Sequence, residues 1–205
     1  ISPKASLVFK PSGSFMSYAT ISRGFQFGGV NSPAPLSFPF NNPVSGVPVP
    51  AGFESSTLWN REIGVRTDWL DRTLRADLTY FDLNWTNAQF GQNSGGQVQP
   101  TAYIDNVGKV RSRGLEGTVA WLTPVPGLSF TIAASYIKAL TAVEYTDGSG
   151  KIVPSGTEMP GTPPVQLANT LSYATAVGPW GYNVSLAHSY WGAAWNNVTH
   201  DAPIY

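Results

Sequence analysis

The chain contains no cysteine, so a disulfide framework, a thiolate metal site and a cysteine nucleophile are all excluded. Charge is scarce as well. Asp, Glu, Lys and Arg make up 12% of the 205 residues, against roughly 25% in ordinary soluble proteins. The twelve basic and twelve acidic residues cancel. With no basic excess to neutralise phosphates, nucleic acid is not expected as a partner. No apolar run approaches the roughly 18 residues a membrane helix needs. Ile1-Ser2-Pro3-Lys4 lacks the basic-then-apolar order of a signal peptide. There are two histidines, His188 and His200, too isolated to suggest a metal site. Ser22, Ser112 and Ser155 lie in no nucleophile-elbow pattern that would join them to either. The Gly-rich 94–96 segment does not precede a helix, so it is not a phosphate loop. An enzyme is therefore not expected, and neither is a cofactor.

What is present is turn and aromatic chemistry. Gly (21) and Pro (17) are spread over the chain, and aromatics reach 13%. Between the turns the sequence alternates with period two. Leu115, Gly117, Val119 and Trp121 oppose Glu116, Thr118, Ala120 and Leu122, so one face is apolar and the other small or polar. Equivalent alternation covers strands beginning near Ala5, Phe15, Leu58, Leu74, Leu128, Val165 and Tyr182. After Leu74 it slips around Phe81–Trp85, where a bulge or an early exit is expected.

The connections have their own rhythm. Those at 11–14, 70–73, 123–127 and 177–181 are short, whereas 24–56, 88–102 and 143–164 are long. Tight turns at one end and long loops at the other, joining strands of about ten residues, are the layout of a transmembrane β-barrel. Aromatics bracket the apolar face: Phe15, Trp69, Trp121 and Tyr173 near the short turns, and Trp59, Tyr80 or Trp85, Tyr136 and Tyr190 near the long loops. The fold class expected is all-β, an antiparallel up-and-down barrel segment of about eight strands. Both ends read as interior to something longer.

Four stretches then take on a family likeness. YIDNVGKVRSRGLEGTVAW with PVPGL, EIGVRTDWLDRTL, SLVFKPSGSFMSYATISRGF and MPGTPPVQLANTLSY together resemble TonB-dependent outer-membrane receptors, in order and over nearly the whole chain. The resemblance implies a barrel of about 22 strands. It further implies an N-terminal plug and ligand import across the bacterial outer membrane, energised by a TonB-type inner-membrane partner. On that reading, residues 1–205 are a partial barrel, and the plug and terminal strands lie outside it.

Candidate site residues fall in two groups. Glu62, Arg66, Asp77 and Glu116 sit on the polar face and are expected to line the lumen, either forming wall pairs with a plug or lining a ligand path. Phe38, Phe40, Phe53, Phe90, Tyr145, Trp191 and Trp195 are expected in the long loops. There they either hold a small-molecule ligand, such as a metal chelate or a nutrient, or pack on each other to order the loops. Arg111 and Arg113 share the parity of Leu115. They therefore point to lipid near the rim, where lipopolysaccharide phosphates are available, unless a kink at Gly114 flips them inward. Two competing functions remain: a passive outer-membrane porin or channel, and a soluble all-β carbohydrate-binding module.

Overall fold

The computed structural model describes residues 2–31, 40–41, 48–93, 102–201 and 203–204. Eight strands form one antiparallel sheet in chain order: β1 (Lys4–Ser12), β2 (Phe15–Gln26), β3 (Ser56–Trp69), β4 (Leu74–Thr86), β5 (Lys109–Leu122), β6 (Leu128–Thr141), β7 (Val165–Val177) and β8 (Trp180–Trp191). β1 and β8 do not pair with each other, so the sheet is open. Two-residue and five-residue strand pairs decorate the long connections.

Register settles which side chains share a face. One row runs Val65, Leu78, Gly117, Ala134, Leu167, Tyr190. The adjacent row, one residue along and therefore on the opposite face of the pleat, runs Arg66, Asp77, Thr118, Ala133, Ala168, Ser189. The apolar side chains of the first face stay largely uncovered: Leu78 is 50% exposed and Leu186 is 70%. A sheet cannot leave such a face in water; it needs an apolar medium.

Strand ends are stepped. The row Trp69, Leu74, Trp121, Phe130, Leu171, Leu186 meets the β3–β4 turn at once. On β7 and β8 the ladder continues past that row through Tyr173–Val184, Thr175–Tyr182 and Val177–Trp180. Such sliding between neighbours is what tilted barrel strands require. The β3–β4 turn holds Leu70, Asp71 and Arg72 all at positive φ (52°, 52° and 68°). It is closed by the Thr73 amide and hydroxyl, both donating to the Leu70 carbonyl oxygen (3.1 and 2.7 Å).

No bulge interrupts β4. From Leu74 to Thr86 it is in continuous register with both β3 and β5, which corrects the expected slip at Phe81–Trp85. The alternation changes there because the two faces exchange polarity, not because the strand breaks. The row Ile63, Tyr80, Leu115, Tyr136 on the apolar face is followed by Arg61, Asp82, Arg113, Lys138. On the other face Phe81, Leu83 and Trp85 replace Asp77 and Thr79. Trp85 therefore lies opposite the apolar-face girdle, leaving Tyr80 as the girdle residue of β4.

The register through Gly114 is equally unbroken, so Arg111 and Arg113 keep the parity of Leu115. The missing side chain is filled by a neighbour. The Phe81 ring lies 2.7 Å from where a Gly114 Cβ would stand, and the Tyr136 carbonyl oxygen 2.4 Å from it. Tyr18 covers Gly64 in the same manner, its ring 2.4 Å from that position. Aromatic rings laid over cross-strand glycines let a sheet curve without leaving a hole.

Because a backbone oxygen blocks the site, Gly114→Ala is expected to destabilise the membrane-inserted barrel by about 1–3 kcal/mol. Gly24→Ala, with nothing within 4 Å, serves as the control and is expected to be neutral or slightly stabilising. Urea midpoints of the two variants against the parent check this.

Candidate functional site

The polar face carries two cross-strand ion pairs at directly opposed positions. Arg66 pairs with Asp77, and Arg75 Nε donates to Asp68 Oδ1 at 2.8 Å. Tyr18 and Thr79 hydroxyls are 2.9 Å apart across the covered Gly64. Glu62 accepts from the Asn60 side-chain amide. Glu116 has no ion pair among the described residues. It lines a depression of about 510 Å³ together with Thr79, Gln166 and Trp191. Trp191 is thus the last residue of β8 on the polar face, opposite Gln166, and not a loop residue. The structure brings Arg66 to Asp77 and Glu116 to Trp191, while Glu62 stands apart, toward the long-loop end.

Above the strands the long connections build their own small core. Ala88, Val107 and Val110 are buried, with Trp85, Phe90, Tyr145 and Met159 packed against them. Phe90 meets Trp85 edge to face at 5.6 Å. Phe53 stands opposite Gly29, its ring over the glycine. Phe40 belongs to a two-residue strand opposite Val49, and Phe38 lies outside the described residues. Trp195 stacks flat on His200 with centroids 4.5 Å apart. Phe90 and Tyr145 therefore order the loops, whereas Phe53 and Trp195 lie apart from that core.

Burial moves Tyr145 furthest from ordinary behaviour. Its phenol is pushed up to about 12, first by desolvation and then by the Asp147 carboxylate. Tyr103 shifts the same way for the same leading reason.

Amide side chains fasten one loop to the next, a feature sequence reading did not single out. Asn31, 8% exposed, donates Nδ2 to the Pro50 and Ile104 carbonyl oxygens (both 2.9 Å) and accepts from the Ile104 amide at 2.8 Å. Gln89 Nε2 donates to the Phe27 and Glu54 carbonyl oxygens (3.0 and 2.7 Å). Gln92 Oε1 accepts from the Gly148 amide at 2.9 Å. Asn and Gln within loops carry no periodic signal, and their partners are backbone groups up to 73 residues away. Among the described residues no group of His, Cys, Asp or Glu is arranged to hold a metal ion.

An open, stepped antiparallel sheet, apolar on one face and salt-bridged on the other, with clamped loops at one end, is a section of an outer-membrane β-barrel wall. The chain belongs to the TonB dependent receptor-like β-barrel family, whose pattern it matches over residues 1–203. That family consists of outer-membrane transport receptors, not enzymes. A search of curated proteins finds no match. Among solved structures the chain is similar to the ferric yersiniabactin uptake receptor of Yersinia pestis (16% identity, TM-score 0.71, 98% of this chain and 27% of that one). It is also similar to the ferric preacinetobactin receptor of Acinetobacter baumannii (16%, 0.68, 98% and 27%). A copper transporter, OprC, aligns too (14%, 0.61, 90% and 26%). At these identities the likeness is one of fold, and the chain spans about a quarter of the length of the structures it matches.

Two outcomes follow. Asn31→Ala leaves the Ile104 amide and two carbonyl groups without partners, at about 1–3 kcal/mol for the orphaned donor. Hydrogen exchange in peptides covering 102–106 is expected to accelerate while the eight barrel strands stay protected. For Tyr145, the folded chain keeps a proton that an unfolded one loses near pH 10, so the loop core loses stability as pH rises from about 10 toward 12. The 295 nm absorbance difference between the parent and Tyr145→Phe is expected to titrate near 12 rather than near 10.

Proposed function

We propose that the chain is part of the wall of a ligand-gated importer, with further strands pairing onto β1 and β8 to close a barrel of about 22 strands. The long-loop end faces the cell exterior and the polar face encloses a plug. The observation that carries this reading is the pairing of a lipid-facing surface with a polar face whose charges are held in cross-strand pairs. A plug needs fixed partners to lean on and to leave, and a wall of paired charges offers them. Glu116 and Glu62 lack ion pairs among the described residues, and they are the carboxylates such a plug would meet, Glu62 with one oxygen already accepting from Asn60. Arg66 and Asp77 stiffen the wall beside them. Movement of the plug is driven by a TonB-type partner drawing on the proton-motive force.

The cargo is a small molecule captured at the loop end, where Phe53 and Trp195 supply aromatic surface. Phe90 and Tyr145 form the base beneath it, and Trp191 lies on the way into the lumen. Scarce metal chelates are the first class to test, since relatives of this fold are ferric siderophore receptors and a copper transporter.

Uptake of a panel of radiolabelled ferric chelates and of cupric ion is measured in cells expressing the receptor that carries this chain. Accumulation of at least one probe is expected, and collapse of the proton gradient or deletion of the coupling partner is expected to abolish it. Uptake that survives both treatments means a passive channel and overturns the proposal. Glu116→Gln in the same cells is expected to admit small antibiotics that the parent excludes, through a loosened plug.

A further inference from the structure

An amide and an imidazole interrupt the apolar outward face. One cross-strand row runs Thr67, Ala76, Val119, Ile132, Asn169 and His188. Among the described residues on the lipid side between the two aromatic rows, Asn169 is the sole amide side chain and His188 the sole imidazole. Asn169 lies midway along β7 between Tyr173 and Val165, and Val165 stands opposite Tyr136. At about 3.3 Å per residue it is roughly 13 Å along the strand from each, well inside the hydrocarbon. His188 is the next outward position below Tyr190 on β8. Thr67, in the same row, is satisfied within its own copy: its hydroxyl donates to the Ala76 carbonyl oxygen at 3.3 Å and accepts from Trp69 Nε1 at 2.9 Å.

Asn169 and His188 are only half satisfied. Asn169 Nδ2 is 3.1 Å from His188 Nδ1. An amide nitrogen only donates, so Nδ1 accepts and the ring proton sits on Nε2. One donor, His188 Nε2–H, and one acceptor, Asn169 Oδ1, are then left over, and neither has a partner among the described residues. His188 is exposed and Asn169 half-buried. Hydrocarbon supplies nothing to either group, and a polar group left unpaired there is costly. The leftover donor and acceptor sit side by side on neighbouring strands, which makes the pair complementary to itself. A second copy, related by a two-fold axis along the membrane normal, presents the same pair reversed from left to right. Each Asn169 Oδ1 then faces a His188 Nε2–H across the axis, and two reciprocal hydrogen bonds satisfy both copies. Leu171, Leu186 and Tyr190 are exposed around the pair and form an apolar collar. Two convex walls touch along a narrow line, so the specific groups of such a contact must sit on one strand pair, as these do.

We infer that the β7–β8 face is the contact between two copies of the receptor in the membrane, centred on Asn169 and His188. Self-complementarity of the leftover donor and acceptor selects a second copy over an unrelated chain. A polar, ionisable side chain in the apolar band is retained where it has work to do, and here that work is recognition. The contact rests on the outer-membrane placement and not on import. Dimers that transport nothing fail the import reading alone, and monomers that import fail the contact alone.

The test uses the membrane-assembled receptor that carries this chain, fluorescently labelled and placed in phosphatidylcholine vesicles at decreasing receptor-to-lipid ratio. Photobleaching steps count the copies per particle. Compared are the parent, N169L/H188L, and Leu78→Ala, which trims the lipid face on β4 away from the pair. The parent and Leu78→Ala are expected to form dimers that give way to monomers on dilution. For N169L/H188L the dissociation constant is expected to rise at least roughly tenfold, the scale of two modest hydrogen bonds within a membrane. A parent that is monomeric at every ratio, its polar pair met by the next barrel strand, would overturn the contact. So would an unchanged dissociation constant in N169L/H188L. Folding of every variant is read from heat-modifiable gel mobility. If the double variant does not fold, a benzophenone side chain placed at Leu186 of the otherwise unchanged receptor is irradiated in cells. An adduct between two copies is expected from that position and none from the same group at Leu78. An adduct to a different outer-membrane protein, or no adduct at all, counts against the contact.

Discussion

A peptide group in hydrocarbon has no water to bond with, so every N–H and C=O crossing a bilayer must find a partner in the chain. The rest of this structure is subordinate to that requirement. It explains why the ladder between β3, β4 and β5 runs without a break where side-chain chemistry alone suggests an interruption. It also explains how Gly64 and Gly114 are accommodated: the backbone stays in register, and Tyr18 and Phe81 fill the space that the missing side chains leave. A bulge inside the apolar band would strand polar groups in lipid; a glycine covered by a ring strands none.

Once the ladder is uninterrupted, the environment along each strand must change by side chain alone. It does so at the row of Ile63, Tyr80, Leu115 and Tyr136. Below it, the outward face is aliphatic and the inward face holds Asp77 and Thr79. Above it, the outward face holds Arg61, Arg113 and Lys138, and the inward face holds Leu83 and Trp85, which lead into the loop core of Ala88, Val107 and Val110. The two faces exchange solvents along a strand whose register does not break. Trp85 belongs to that loop core, not to the membrane girdle.

The sheet was legible in the residues because its two physical signals are local. Period-two alternation assigns a face to Leu115 or Glu116 without knowledge of a partner, and Gly/Pro-rich connections of unequal length set the ends. Asn169 is a polar residue on the apolar face of β7, and the structure supplies its reason: it stands opposite His188, Nδ2 3.1 Å from the ring Nδ1. That pairing depends on register between strands, which no single strand encodes. The loops were illegible for a related reason. Asn31 is one polar residue among many until Pro50 and Ile104 are known to lie beside it. The same holds for the outward row, where Arg111 and Arg113 were visible by parity but Arg61 and Lys138 join them only through cross-strand alignment.

The stepped strand ends have a consequence for the size of the pore. In a closed sheet, the slide from one strand to the next sets the inclination of the wall, and inclination together with strand number sets the radius. The offset between the row of Trp69 and the far end of the β7–β8 ladder is thus a gauge for the bore, carried by this one arc of the circumference. Inserting a pair of residues into a single strand would leave the facing of every side chain intact and still alter the calibre of the whole ring.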